Sequence, residues 1–223
     1  MTYAVRNLAL DENGEGPHHL VPNEAKSFFV DFPNTAYRFE RGHRIRLALS
    51  SSYWPLIWPS PKRTRITLHL ANTRLTLPVR SAGARDAPVS FAEPSDAAPP
   101  ETYDVISAPP LERWTHIDAE TNRRSIQRHE PLKCVRFTEI DLEVGLETSA
   151  DYKITKDDPN SASTRFEHRI HFFRGSWTVE VISIAELTST KFTYNPSGSV
   201  EVWENGEVIF QRQWAPVIPR TCS

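Results

Sequence analysis

The chain has 223 residues, with 26 Lys and Arg against 28 Asp and Glu for a net charge of -2. It therefore lacks the strong positive field that nucleic-acid binding needs, and it is long enough to bury a continuous core as one large β domain. Its two cysteines, Cys134 and Cys222, are too few for a disulfide framework and are expected to be reduced, inert thiols.

No apolar run approaches the roughly 20 residues that cross a bilayer, and residues 1–7 lack the basic segment and apolar core of a secretory leader. The expectation is a cytoplasmic protein with no membrane partner. Eighteen prolines against eight glycines, with eleven phenylalanines and six tryptophans, fit many short strands pinned by rigid loops.

From the N-terminus, Asp11-Glu12-Asn13-Gly14-Glu15-Gly16-Pro17 marks an exposed loop. Ser27-Phe28-Phe29-Val30-Asp31-Phe32 is aromatic and β-branched and predicts a strand, which Pro33-Asn34 stops. Next, Ile45, Leu47 and Leu49 alternate with Arg44, Arg46 and Ala48, as a half-buried strand requires. This strand runs into a loop in which Tyr53, Trp54, Leu56, Ile57 and Trp58 are set among Pro55, Pro59 and Pro61. Residues 65–70 and 74–79 also alternate, and Ala71-Asn72-Thr73 between them reads as a tight hairpin connection. The first half thus predicts about four strands.

Residues 81–110 are rich in Ser, Ala, Asp and Pro, and Pro99-Pro100 and Pro109-Pro110 bracket one hydrophobic cluster, Tyr103 to Ile106. This stretch predicts a long surface crossover inside a single domain spanning 1–223. Further on, Asp157-Asp158-Pro159-Asn160-Ser161-Ala162 reads as a turn. Phe166, Ile170 and Phe172 then alternate against Arg165, Glu167, Arg169 and His171, and a break at Gly175 leads into residues 177–182 as an antiparallel hairpin. Finally, residues 200–203 and 208–211 flank Glu204-Asn205-Gly206-Glu207, where Asn-Gly is the strongest short hairpin signal. The predicted class is all-β, a two-sheet jelly-roll sandwich of galactose-binding-like type, in preference to an up-and-down barrel.

Catalytic motifs are sparse. The nucleophile elbow Gly-x-Ser-x-Gly, whose small flanking residues permit a strained turn, does not occur. Ser51 and Ser199 read as ordinary strand-end and turn residues, and nothing in the spacing of His43, Arg44 and Ser51 makes an active site compelling. His168 and His171, three apart on a strand, point to opposite faces and cannot share an ion. Asp157-Asp158 with Asn160 lacks the glycine and distal glutamate of a calcium loop. No catalytic residue, cofactor or metal is therefore assigned. The aromatic loop alone offers interface chemistry: a large apolar area on a backbone with little freedom left to lose, whose rings serve either a partner or the end of the core. On these grounds a free-standing carbohydrate- or peptide-binding sandwich is the alternative reading, because jelly rolls often bind sugars through exposed aromatics.

Residues 42–61, from Gly42-His43-Arg44 to Trp58-Pro59-Ser60-Pro61, resemble the C-terminal domain of the cocaine esterase/X-Pro dipeptidyl-peptidase group of serine hydrolases. The likeness continues in Leu75-Thr76-Leu77-Pro78-Val79-Arg80, Asp157-Asp158-Pro159-Asn160-Ser161-Ala162, Arg174-Gly175-Ser176-Trp177 and Val217-Ile218-Pro219-Arg220, and is poor over 81–150. The resemblance implies a non-catalytic jelly roll that packs on an α/β-hydrolase domain and helps shape its substrate entrance. It gives Tyr53, Trp54 and Trp58 a docking or pocket-lining role, and with Leu56 and Ile57 from the same apolar loop these are the candidate interface or pocket-lining residues. No Ser, His or Asp of a catalytic triad carries over to this sequence, so the expectation is either a truncated product or a module that docks on an α/β-hydrolase domain supplied by another chain.

Overall fold

The computed structural model of the protein describes residues 2–10, 16, 18, 20–79, 90–93 and 102–221. Among them the regular structure is antiparallel β, with one short 3-10 turn at Leu70–Asn72 and no α-helix. The strands are β1 (Tyr103–Ser107), β2 (Glu112–Ile117), β3 (Arg123–Phe137), β4 (Leu142–Thr155), β5 (Asp158–Arg174), β6 (Trp177–Ser189), β7 (Thr193–Glu204), β8 (Glu207–Trp214) and β9 (Ile218–Pro219). They form one nine-stranded sheet in the order β1-β3-β4-β5-β6-β7-β8, with β2 also on β3 and β9 also on β7. From β3 to β8 each strand pairs with the next in sequence, so the sheet is a meander.

Its turns show why. Five connections contain residues in left-handed backbone: Asn122, Asp141, Asp157, Gly175, and the pair Asn205 and Gly206. Positive φ lets a tight turn follow the right-handed twist of its strands, and Asn, Asp and Gly carry the smallest penalty there. Side chains reinforce two of these turns. Asp118 Oδ1 accepts from the backbone N–H of Glu120 and Thr121 before β3, and Asn205 Oδ1 accepts from Thr178 N across from β6.

Register divides the sheet into two faces, because directly opposite residues share one. On one face Val144, Phe172, Val179 and Leu146, Ile170, Val181, Val202, Phe210 lie in rows. On the other face Glu147 sits opposite Arg169, Asp151 opposite Arg165, and Arg165 opposite Glu186. Glu167 there bridges Arg165 and Arg169, each at 2.8 Å. Burial raises its carboxyl, but the hydrogen bonds and charges of both arginines outweigh that and hold it below the usual glutamate range. Burial is slight: among the described strand residues the buried hydrophobic side chains are Cys134, on the charged face opposite Gly145, Ala150, on the apolar face opposite Phe166, and Ala162.

The structure corrects several expectations. Residues 27–32, 44–49, 65–70 and 74–79 belong to no ladder, so the four strands expected in the first half are not formed. Between the last two, the 3-10 turn closes with Thr73 N donating to Leu70 O at 3.3 Å in place of a hairpin link, and neither Ala71, Asn72 nor Thr73 has positive φ. The cluster Tyr103 to Ile106 is strand β1, not part of a crossover, and β2, β3 and β4 lie where no strands were expected. A turn is present at Lys156-Asp157, but Asp158 to Ala162 already belong to β5. Most of the expected crossover, residues 81–89 and 94–101, lies outside the described residues, as does Cys222. The hairpins at Gly175 and Asn205-Gly206 form as the sequence predicts.

Candidate functional site

The aromatic loop lies against one end of the apolar face. Its rings form a chain of edge-on contacts: Trp54 to Trp58 at 5.1 Å between centroids, Trp54 to Tyr152 on β4 at 6.4 Å, and Tyr152 to Phe166 on β5 at 5.6 Å. On the other side Trp58 meets Tyr194 on β7 at 6.3 Å. Edge-to-face geometry sets the positive ring edge on a negative ring face, which fixes orientation as well as burying area.

Polar bonds hold the loop at the same end. Trp58 Nε1 donates to Ser189 Oγ at 2.9 Å, and Asn160 Nδ2 donates to Pro61 O at 3.1 Å. Arg220 is 8 % exposed; its guanidinium donates to Pro59 O, to Ser189 Oγ at 3.2 Å and to Thr190 O at 3.1 Å, with the Tyr194 ring at 4.9 Å. A planar fork of donors suits this task, since one side chain ties the loop, the end of β6 and β7 together. The proline-fixed backbone leaves Pro59 O and Pro61 O free of intraloop bonds and available as acceptors. Ser189 and Arg220 escape sequence reasoning because nothing local marks a serine or arginine as a clamp.

The five loop residues therefore separate. Trp54 and Trp58 face the sheet and are half-buried. Leu56 is 65 % and Ile57 40 % exposed, and Tyr53, also exposed, contacts the Tyr3 ring at 5.8 Å. Ile57 N donates to Tyr53 O at 2.9 Å, so the tip folds into a turn, with Leu56 and Ile57 exposed on it. Sequence alone puts all five in one group; only the docking of the loop distinguishes them.

Among the described residues no hydrogen bond links His43, Arg44 and Ser51. Ser199 lies within β7, opposite Ile184 and Gln213. His168 and His171 stand opposite Ser183 and Glu180 respectively and face opposite sides of the sheet. Cys134 is buried on β3, and burial followed by the nearby Glu143 charge raises its thiol above the ordinary range, which suits an inert thiol. Among the described residues no helix is long and apolar enough to cross a membrane.

Residues 2–92 match the family model of the X-Pro dipeptidyl-peptidase C-terminal non-catalytic domain. The match to this non-catalytic domain contains the whole aromatic loop and ends before β1. No curated protein and no solved structure matches the chain. The matched segment and the sheet meet at the anchor just described, where Trp58 and Pro59 engage Ser189 and Arg220.

Proposed function

We propose that the protein is the non-catalytic jelly-roll domain of an X-Pro dipeptidyl-peptidase-like serine hydrolase of the cocaine esterase type. It docks on an α/β-hydrolase domain supplied from outside these 223 residues and helps shape the substrate entrance. The observation that carries this reading is the division of the aromatic loop. Trp54 and Trp58 hold the loop rigidly on the sheet, leaving Tyr53, Leu56 and Ile57 as a preordered apolar tip. A preordered tip loses little entropy on docking.

The family match over residues 2–92 supports the same reading. The half-exposed apolar row of Val144, Phe172 and Val179 is the surface that the second layer of a sandwich would cover.

The test has two arms. The purified chain should turn over neither Xaa-Pro nor simple ester substrates. Added to the catalytic domain of an X-Pro dipeptidyl-peptidase lacking its own C-terminal domain, it should bind and change KM, and Leu56→Asp with Ile57→Asp should abolish that effect. Turnover by the chain alone, or no binding to the catalytic domain, overturns the docking role.

The sugar-binding alternative has less support. Both tryptophans of the loop are turned against the sheet, and flat, solvent-facing rings are what stacking on a sugar requires.

A further inference from the structure

The two edges of the sheet differ in the length of their longest outer strand. At one edge β3 carries two short strands, β1 of five residues and β2 of six, separated by Pro109-Pro110. The β1 pairing is interrupted by a bulge between Val105 and Ser107. Short strands and prolines limit how much of this edge can pair with another chain.

At the other edge, beside the two-residue β9, β8 runs for eight exposed residues, Glu207 to Trp214, without a proline or a lysine; a bulge at Ile209, between Phe210 opposite Val202 and Val208 opposite Trp203, sets Glu207 and Arg212 on the same face. Ile209 is 57 % and Phe210 50 % exposed. Among the described residues β8 pairs with β7 on its inner side and with no strand on its outer side. Roughly every second residue of an edge strand aims its N–H and C=O outward, so about four residues of β8 present unpaired backbone groups.

The charges along β8 indicate its partner. The strand carries one acid near its start, Glu207, and one base near its end, Arg212. Antiparallel pairing of two copies brings the acidic end of each against the basic end of the other, twice by symmetry. Parallel pairing would set like charges together. Opposite charges across strands favour a pairing and like charges oppose it. A two-fold axis normal to the sheet also keeps both apolar faces on the same side.

We propose that the outer edge of β8 is a self-association surface, at which a second copy of this chain adds its own β8 antiparallel to give one continuous sheet. The contact is isologous, with Glu207 of each copy set toward Arg212 of the other, and Ile209 and Phe210 at its centre.

The test uses the full chain. Analytical ultracentrifugation of the wild type should show a reversible dimer, and hydrogen exchange should show β8 amides whose protection rises with protein concentration. Glu207→Arg and Arg212→Glu should each raise the dimer dissociation constant by about tenfold or more, since two symmetric contacts become repulsive. Far-UV circular dichroism should show both variants folded. Mixed in equal amounts, they should form a heterodimer of near wild-type affinity, because the mixed pair restores an attractive contact at both ends. A monomeric wild type at every concentration, β8 amides insensitive to concentration, or a mixture no tighter than its components would overturn the proposal. A dimer that both variants leave unaltered would place the contact elsewhere and overturn it equally.

Discussion

Residues 44–49 and 166–172 carry the same period-two alternation, yet only the second belongs to a ladder. The difference lies in what stands next in the chain. After Phe172 a two-residue turn with left-handed Gly175 returns the backbone directly into 177–189. After Leu49 comes the aromatic loop, which offers no complementary strand. Residues 65–70 and 74–79 do lie close together, but their link has no residue with positive φ and closes as a 3-10 turn. Alternation selects a face, whereas a turn that can follow strand twist selects a partner. The comparison also shows how the first region is held: by the rings and carbonyls of residues 54–61, not by backbone pairing.

Removing the clamp is the strongest way to break this arrangement. Arg220→Ala should cost about 2–4 kcal/mol, because it removes charge-assisted bonds to Pro59, Ser189 and Thr190 and leaves buried acceptors unmet. Urea unfolding should record the loss, and near-UV circular dichroism should change more than far-UV, since the tryptophan loop loosens while the sheet persists.

A smaller effect is expected within the sheet. A Cβ on Gly198 would lie 2.4 Å from Cζ2 of Trp214, so Gly198→Ala should cost roughly 1–2 kcal/mol by displacing that half-exposed ring. Here the disturbed residue should be Trp214, visible as a shift in tryptophan fluorescence on acrylamide quenching. Pairing Gly198→Ala with Trp214→Ala should recover most of the glycine-dependent part.

Trp58→Phe keeps the apolar contact with Tyr194 and deletes only the indole bond to Ser189. About 1 kcal/mol is expected in the same urea measurement.

Acid should discriminate the regions with the least force. Glu167 is held ionised by Arg165 and Arg169, so its folded pKa lies below its unfolded value of about 4.3. Its contribution is complete above that unfolded value and disappears as pH falls through the lower folded one. Glu167→Gln should therefore flatten part of the stability loss below about pH 4 and leave the aromatic-loop signal unchanged.

The all-β class and two of the hairpins are legible in the sequence because Asn205-Gly206 and Gly175 combine a turn former with apolar flanks. The turns at Asn122, Asp141 and Asp157 use the same left-handed backbone with commoner residues, so they leave a weaker mark. In β4 the alternation of Leu142, Val144, Leu146, Ala150, Tyr152 and Ile154 was available, though Gly145 and Thr148-Ser149 dilute it. In β3 it is hidden outright: Arg128 pairs with Glu130 within the strand, His129 lies beside Glu147 on β4, and Pro131 sits within the irregular pairing between Glu130 and Lys133. The aromatic loop stands out in composition, but its division into anchor and tip depends on Ser189, Tyr194 and Arg220, more than a hundred residues away.

That separation has a kinetic meaning. The meander closes through hairpins whose ends are near neighbours along the chain, whereas Trp58 reaches Ser189 across 131 positions and Pro59 reaches Arg220 across 161. Wide loops cost more entropy to close, so the clamp should assemble after the sheet exists to receive it. A refolding experiment that follows backbone signal and indole emission together should record the strands first and the ring stack as a slower, second event.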